Sequence, residues 1–333
     1  MKVLKIVLLI LVLGLLLFFI LRVFDFMIKE NKDVVFGISF SPKYAESLEL
    51  DPEKVYNKAL ADLDFKYVRL SADWDELENE KGVYNFSRVD KYMDLSAENN
   101  VKVILAVGRK TPRWPECHLP GWASQEKYEN YKVYLVGYIK AVVERYKDHP
   151  ALELWQVENE PFLKFGLCDK MSASDLREEI NLVKNIDSSH QIMVTDSGEL
   201  SLWGKSAGAG DLFGTTVYRV VWNKFTGFWK YDWLPAWWYQ MRLKWQDVPL
   251  DKAMVAELQA EPWMTGGSVA STTLKKQEKS MDVEKLKQNI SYAQKIGFPR
   301  SYLWGVEWWY WLEKNYPEKG RGFLGVVGSL KKE

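Results

Sequence analysis

Val101-Lys102-Val103-Ile104-Leu105-Ala106-Val107 is an apolar, largely β-branched run closed by Gly108. A strand that is apolar on both faces must be buried on both, as in a parallel sheet covered by helices. Seven further runs of this kind lie at 34–40, 67–72, 152–159, 191–195, 212–218, 253–258 and 301–306. Stretches with helical periodicity separate most of them, at 52–63, 89–98, 131–146, 173–186, 234–245 and 283–296. Alternation repeated this often predicts parallel βαβ units. Eight units closing on themselves make an α/β protein of the (β/α)8 TIM barrel type. The competing architecture is an open doubly wound sheet, but no Gly-x-Gly-x-x-Gly follows an early strand, which counts against its dinucleotide-binding form. The alternation weakens between the fifth and sixth runs, where Gly204 to Gly210 leaves room only for a degenerate helix. The polar stretch 265–280 follows the seventh run and is expected to be a loop on the face where the strands end.

The 333 residues suit one barrel of about 250 residues with a short extra segment. That segment is N-terminal. Residues 3–23 are almost entirely Leu, Ile, Val and Phe, with Lys2 and Lys5 at the start and Gly14 within. As a helix rising about 1.5 Å per residue, the run crosses a hydrocarbon layer of ~30 Å. No small-x-small cleavage site precedes Arg22 and Asp25, and the apolar region of a signal peptide is shorter. The expected organisation is a single transmembrane helix, a signal anchor over 1–24, then a tether over 25–33 and the barrel domain over 34–333. The protein is thus expected in the membrane, single-pass, with the barrel outside the cytoplasm. Arg22, Lys29 and Lys32 put positive charge beyond the helix too, so the charge rule alone does not set this orientation. Formal net charge is zero and no basic stripe is present, which excludes nucleic acid as the expected partner.

In such a barrel the functional groups sit where strands end. The fourth strand runs Leu152-Glu153-Leu154-Trp155-Gln156-Val157-Glu158-Asn159-Glu160-Pro161, and the seventh runs Met254-Val255-Ala256-Glu257-Leu258-Gln259-Ala260-Glu261-Pro262-Trp263. Asn159-Glu160-Pro161 after an aromatic-rich fourth strand resembles the Asn-Glu-Pro signature of clan A retaining glycoside hydrolases, the cellulase, β-galactosidase and β-xylosidase-like TIM barrels. The resemblance implies that Glu160 is the general acid/base, that Asn159 holds the sugar 2-hydroxyl and that Glu257 is the nucleophile. Arg69 resembles the second-strand arginine that supports the nucleophile. Tyr218 falls where a sixth-strand tyrosine donates to it, and Trp304 where an eighth-strand tryptophan floors the sugar site. The phrase from Trp74 through Gly82-Val83-Tyr84-Asn85-Phe86 to Asp90 resembles the clan's second β/α connection, which adds Trp74 to the substrate-binding candidates. The likeness spans Phe36 to Trp311. It departs at the third strand, where many cellulase-type members carry a His and this chain reads Gly108-Arg109-Lys110-Thr111-Pro112-Arg113-Trp114; that points towards the β-galactosidase- and xylosidase-like branches.

A retaining cleavage needs two carboxyl groups about 5–5.5 Å apart, one protonating the leaving oxygen and one attacking. The acid must have a raised pKa, while a cation such as Arg69 and a hydroxyl such as Tyr218 keep the nucleophile ionised. The implied substrate is an oligosaccharide or polysaccharide, and the implied chemistry needs no metal or organic cofactor. A carbohydrate-binding barrel without turnover and a transglycosylase using the same residues are the alternatives.

Several residues admit plainer readings. Glu261 shares the strand parity of Glu257, but Pro262 suggests that it already lies in a loop, so Glu257 is preferred. Glu158 is a candidate partner for Arg69 and Glu307 a candidate for binding a sugar hydroxyl, although a solvated or salt-bridged role is the preferred reading for each. His118, His149 and His190 show no ligand spacing; only His118, in the third-strand loop, could reach a substrate. Cys117 and Cys168 follow neighbouring strands, and the sequence leaves open whether they form a disulfide. The aromatic segment 222–245 can serve helix-to-barrel packing, sugar stacking or an interfacial belt on a bilayer.

Overall fold

The computed structural model describes residues 30–169 and 171–330, and Val12 alone of the chain before them. Eight parallel strands close into a barrel: β1 (Val35–Ser39), β2 (Tyr67–Ser71), β3 (Lys102–Val107), β4 (Leu152–Val157), β5 (Gln191–Asp196), β6 (Leu212–Val217), β7 (Ala253–Gln259) and β8 (Arg300–Trp304). They follow one another around the ring in chain order, and β8 pairs with β1 from Val35–Arg300 to Ser39–Trp304. Ile104, Leu154, Met193, Met254, Ala256 and Tyr302 fill the lumen. Their alternating neighbours, among them Val103, Leu105, Trp155 and Val157, pack outwards in the larger core with the helices. Burial on both faces is the reason these strands carry so few polar residues.

The helices begin and end on recognisable local chemistry. Asp51 accepts from the Lys54 N–H at 3.1 Å ahead of Pro52–Leu63, and Asp282 accepts from the Lys285 N–H at 2.8 Å ahead of Val283–Ile296. These side chains satisfy backbone donors that the first turn leaves open. Gly297, at φ +82°, ends the second of these helices in the left-handed conformation that glycine tolerates.

The structure corrects four local expectations. Residues 204–210 form turns and no helix. The segment after β6 starts with an antiparallel hairpin, Val220–Asn223 with Gly227–Lys230, so its helix begins only at Trp237. Two helices that the periodicity did not reveal, Val306–Asn315 and Pro317–Gly328, follow β8. Asn159, Tyr218 and Glu307, expected at strand ends, lie beyond them; Glu307 sits in the first turn of Val306–Asn315.

The aromatic segment 222–245 divides between packing and exposure. Trp237 and Tyr239 are buried, while Phe225 at the hairpin tip, Trp229, Trp233 and Trp245 are exposed. Among the described residues no helix is long and apolar enough to cross a membrane. The anchor expected over residues 3–23 lies outside the described residues.

Candidate active site

A break in strand alternation brings the seventh-strand glutamate inside. Met254 and Ala256 face the lumen, while Val255 and Leu258 face the helices. Register shifts on both edges of β7, between Thr215 and Thr216 on one side and Ser301 and Leu303 on the other, mark one extra residue there. Such a bulge re-aims a side chain. Glu257 thereby meets Arg69, whose Nη1 donates to its Oε1 at 2.8 Å, while the Tyr218 hydroxyl donates to its Oε2 at 2.7 Å. Burial and the Glu257 charge push the Tyr218 phenol well above its ordinary range, so it stays protonated and donates. Glu199 accepts from the Tyr218 N–H at 2.9 Å and from the Tyr239 hydroxyl at 2.8 Å, which fixes the backbone carrying that phenol.

Arg69 spends its remaining donors on neutral amides. Its Nε donates to Gln156 Oε1 at 2.7 Å and its Nη2 to Asn159 Oδ1 at 2.7 Å. The Asn159 amide is thus oriented, with its Nδ2 donating to Glu116 Oε2 at 3.0 Å.

Glu160 follows on backbone that L-residues seldom adopt: φ is +59° at Glu158 and +45° at Glu160. The Thr195 hydroxyl accepts from the Glu160 N–H at 2.9 Å, and Lys110 Nζ donates to the Glu160 carbonyl at 2.9 Å. The Glu160 carboxyl receives the Thr216 hydroxyl at 3.3 Å. It is raised well above the usual carboxylate range, first by burial, then by the charges of Glu257 and Glu116, against an opposing effect of Lys110. The two carboxyls therefore have contrasting surroundings: Glu257 faces an arginine and a phenol, whereas Glu160 faces other acids.

A second cluster lies on the same face. Arg113, on the loop after β3, pairs with both Glu261 and Glu307, the latter at 3.0 Å. The Ser41 N–H donates to the other Glu307 oxygen at 2.5 Å. The Arg113 guanidinium lies 3.7 Å from the Tyr44 ring centroid and 4.2 Å from that of Trp304. Burial raises both glutamates, Glu307 to about 7, against the lowering effect of Arg113. Trp304 therefore presents a ring face covered by a guanidinium, and Glu307 is fully buried among protein partners.

Other expected positions move further. Trp74 is buried in the packing, its ring stacked on Tyr138 and its Nε1 donating to Glu78 at 2.6 Å, so it has no face for a ligand. Glu158 does not partner Arg69; it is buried and accepts from the Arg109 and Lys110 N–H groups, both at 2.9 Å. Gly108, at φ +127°, lets it in, because a Cβ there would stand 2.5 Å from the Glu158 carboxyl.

Cys117 and Cys168 are joined in a disulfide, with Cα atoms 4.8 Å apart. His149 and His190 lie beside Asp94 and Asp187. His118 meets Asp73 and Asp75, a trio whose donor atoms fall within 4.8 Å of one another. The sequence hides this grouping because Asp73 and Asp75 follow β2, at the start of the short helix Trp74–Leu77, whereas His118 follows β3. Lys43, at 2.6 Å from Asp75, already meets part of its charge. Glu116, Lys110, Arg113, Thr195, Thr216 and Glu199 were not singled out as site candidates; none carries a motif, and only the closed barrel brings them together.

Residues 34–181 match the family model described as glycosyl hydrolase family 10. The chain is 26% identical over 189 residues to β-galactosidase LacZ of Heyndrickxia coagulans, covering 49% of this chain and 28% of that one. The first curated relatives are matched over 22% to 28% of their own length. Among solved structures, the Halorubrum lacusprofundi β-galactosidase aligns with a TM-score of 0.55 at 15% identity, over 81% of this chain and 52% of that one. Xylanase 10B of Thermotoga petrophila aligns with a TM-score of 0.52 at 17% identity, over 82% of each chain. The structural likeness shows a shared (β/α)8 barrel. The sequence matches are to glycoside hydrolases, each over part of the chain.

Proposed function

We propose that this protein is a retaining glycoside hydrolase acting on an oligosaccharide or polysaccharide, with Glu160 as general acid/base and Glu257 as nucleophile. The observation that carries the reading is the contrast between the two carboxyls. Glu257 is held by Arg69 and by the Tyr218 hydroxyl. Glu160 is pushed well above the carboxylate range by burial and neighbouring acids. One group is suited to attack as an anion and the other to give a proton. Glu261, the rival nucleophile, is paired with Arg113 instead, which favours Glu257.

In the first step Glu160 gives its proton to the glycosidic oxygen as the C1–O bond breaks. A Glu257 oxygen bonds C1, forming a glycosyl ester. That ester no longer carries the Glu257 charge, so one of the effects raising Glu160 disappears and Glu160 is left as a base. It then takes a proton from water, the water oxygen bonds C1, and Glu257 leaves as carboxylate. Asn159, its amide oriented by Arg69 and Glu116, is positioned to hold the sugar 2-hydroxyl. We further propose that residues 3–23 anchor the protein in a membrane with the barrel outside the cytoplasm.

Aryl glycosides test the assignment. Removing the acid/base is expected to lower kcat/KM about 10²–10⁴-fold. Glu257→Ala should lose turnover and regain it with azide, yielding a glycosyl azide of inverted configuration. Full activity in either Glu160→Ala or Glu257→Ala refutes the roles.

A further inference from the structure

We propose that Glu116 is a positioning residue of this site: it fixes the amide of Asn159, places a negative charge beside Glu160, and is itself held by the Cys117–Cys168 bridge. The inference rests on the proposed glycosidase reading and extends it to a residue outside the two-carboxyl scheme.

The geometry begins with the amide. The two ends of Asn159 look alike in shape, and only their partners decide which way they point. Arg69 Nη2 requires the oxygen on its side, and the Gln156 Nε2 and Thr195 hydroxyl, each at 3.2 Å, donate to the same oxygen. Glu116 Oε2 is the acceptor that takes Nδ2. A carboxylate is acceptor-only when ionised, so it tolerates no flipped amide. The contact lies in a residue that is 8% exposed, where it replaces water rather than competing with it.

The loop is built to keep Glu116 there. Its backbone sits at φ +68°, in the left-handed region. Its N–H donates to the Arg113 carbonyl at 2.6 Å, and its own carbonyl accepts from the Thr111 N–H at 3.1 Å. The next residue, Cys117, is bonded to Cys168 on the loop after β4. Gly166 of that second loop lies so close that a Cβ would stand 2.5 Å from the Glu116 Cβ. The bridge therefore ties the loop carrying Glu116 to the loop that follows Glu160.

Among the described residues, the hydrogen bond to this carboxyl comes from the neutral Asn159 amide and from no cation. Burial and then the Glu257 charge raise it to about 7, against lowering by Lys110, Asn159 and His118. Glu160 in turn faces Glu116 and Lys110 from the β3 loop, Thr195 and Asp196 from β5, Thr216 from β6 and Glu257 from β7. Besides the nucleophile, two acidic groups raise Glu160, and Glu116 does so more than Asp196.

The experiment is the pH profile of kcat/KM on an aryl glycoside for Glu116→Gln, with Asn159→Ala and the double variant. Glutamine keeps the volume but drops the charge and can donate to the amide. The expected result is a loss of about tenfold or more, with the alkaline limb moved to lower pH by a few tenths to one unit. The double variant should be little worse than Asn159→Ala alone. If Glu116→Gln does not fold, Glu116→Asp serves: its shorter arm loses Asn159 but keeps the charge, so activity should fall with the alkaline limb unmoved. An active wild type whose Gln variant keeps the parental limb, or whose losses simply add, overturns the positioning role and leaves the glycosidase reading standing. A wild type inactive across the panel overturns both.

Discussion

Two arginines meet glutamates on the same face of this barrel, and they do so in opposite ways. Arg69 rises from a strand, binds one carboxylate and gives its other donors to the neutral side chains of Gln156 and Asn159. Arg113 comes from a loop at φ +90°, binds two carboxylates and lies between two aromatic rings. In the first arrangement the glutamate has a single cation and a phenol, with its charge left to act. In the second the charges are spent on one another, and burial still raises both acids. An arginine–glutamate contact therefore does not by itself mark a reacting group. What distinguishes the two is how many acids share the cation and what the remaining donors hold.

Removing each arginine should separate the two arrangements. Breaking a buried pair from one side costs about 3–5 kcal/mol, because the other charge is left unpaired. Arg69→Met and Arg113→Met should both lower stability by this order in denaturant titrations. Their activities should diverge. Arg69→Met frees Glu257, Gln156 and Asn159 at once and should lower kcat/KM about 10³-fold, equivalent to about 4 kcal/mol. Arg113→Met uncovers Trp304 without touching either proposed catalytic carboxyl, and should change kcat less than about tenfold. Equal losses of activity would erase the distinction.

The disulfide sharpens the same contrast, because it holds the loop of Arg113 directly and reaches Arg69 only through the side chains of Glu116 and Asn159. It closes a loop with a sequence separation of 51 residues. Chain entropy alone gives such a bridge up to about 4 kcal/mol. Reduction should lower the unfolding free energy towards that amount. Amide exchange should rise first at residues 110–118 and 161–169, with β2 still protected. Equal loss of protection across β2 would show that the two arrangements are one cooperative unit.

This division also tracks what could be read from the sequence. The eight strands were legible because burial on both faces excludes polar residues from runs such as 103–107. Arg69, Tyr218 and Glu257 were legible as a group through the resemblance to clan A glycoside hydrolases, and the structure brings those three side chains together. The direction of Glu257 was not, since a bulge has no periodic signature and strict alternation turns residue 257 away from the lumen. Arg113 and Glu116 lie on a loop whose shape depends on a left-handed backbone and a bridge the spacing could not decide. Trp74 was misplaced for a related reason: an aromatic residue just beyond a strand end can face a ligand or the helices, and here Tyr138 and Trp122 claim it.

His118 provides the finest test, because it touches only one of the two arrangements. Its Nε2 lies 3.2 Å from the Arg113 carbonyl, and its Nδ1 faces Asp75 and Asp73 at 3.6 and 3.8 Å. Burial alone would lower its pKa, but the two carboxylates raise it to about 9. An unfolded histidine titrates near 6.5. The folded value is the higher one, so the protonated ring contributes its full stability below about pH 6.5 and loses it as pH rises through about 9. With Asp75 partly open to solvent, the effect is on the order of 1–3 kcal/mol. The wild-type melting temperature should decline across that window more steeply than that of Asp75→Asn, which lacks one of the two charges. Loosening should appear at the Arg113 loop, while the Arg69–Glu257 pair, with no histidine contact, stays intact. Parallel melting curves for the two proteins from pH 6 to pH 10 would show that the imidazolium does not hold the loop.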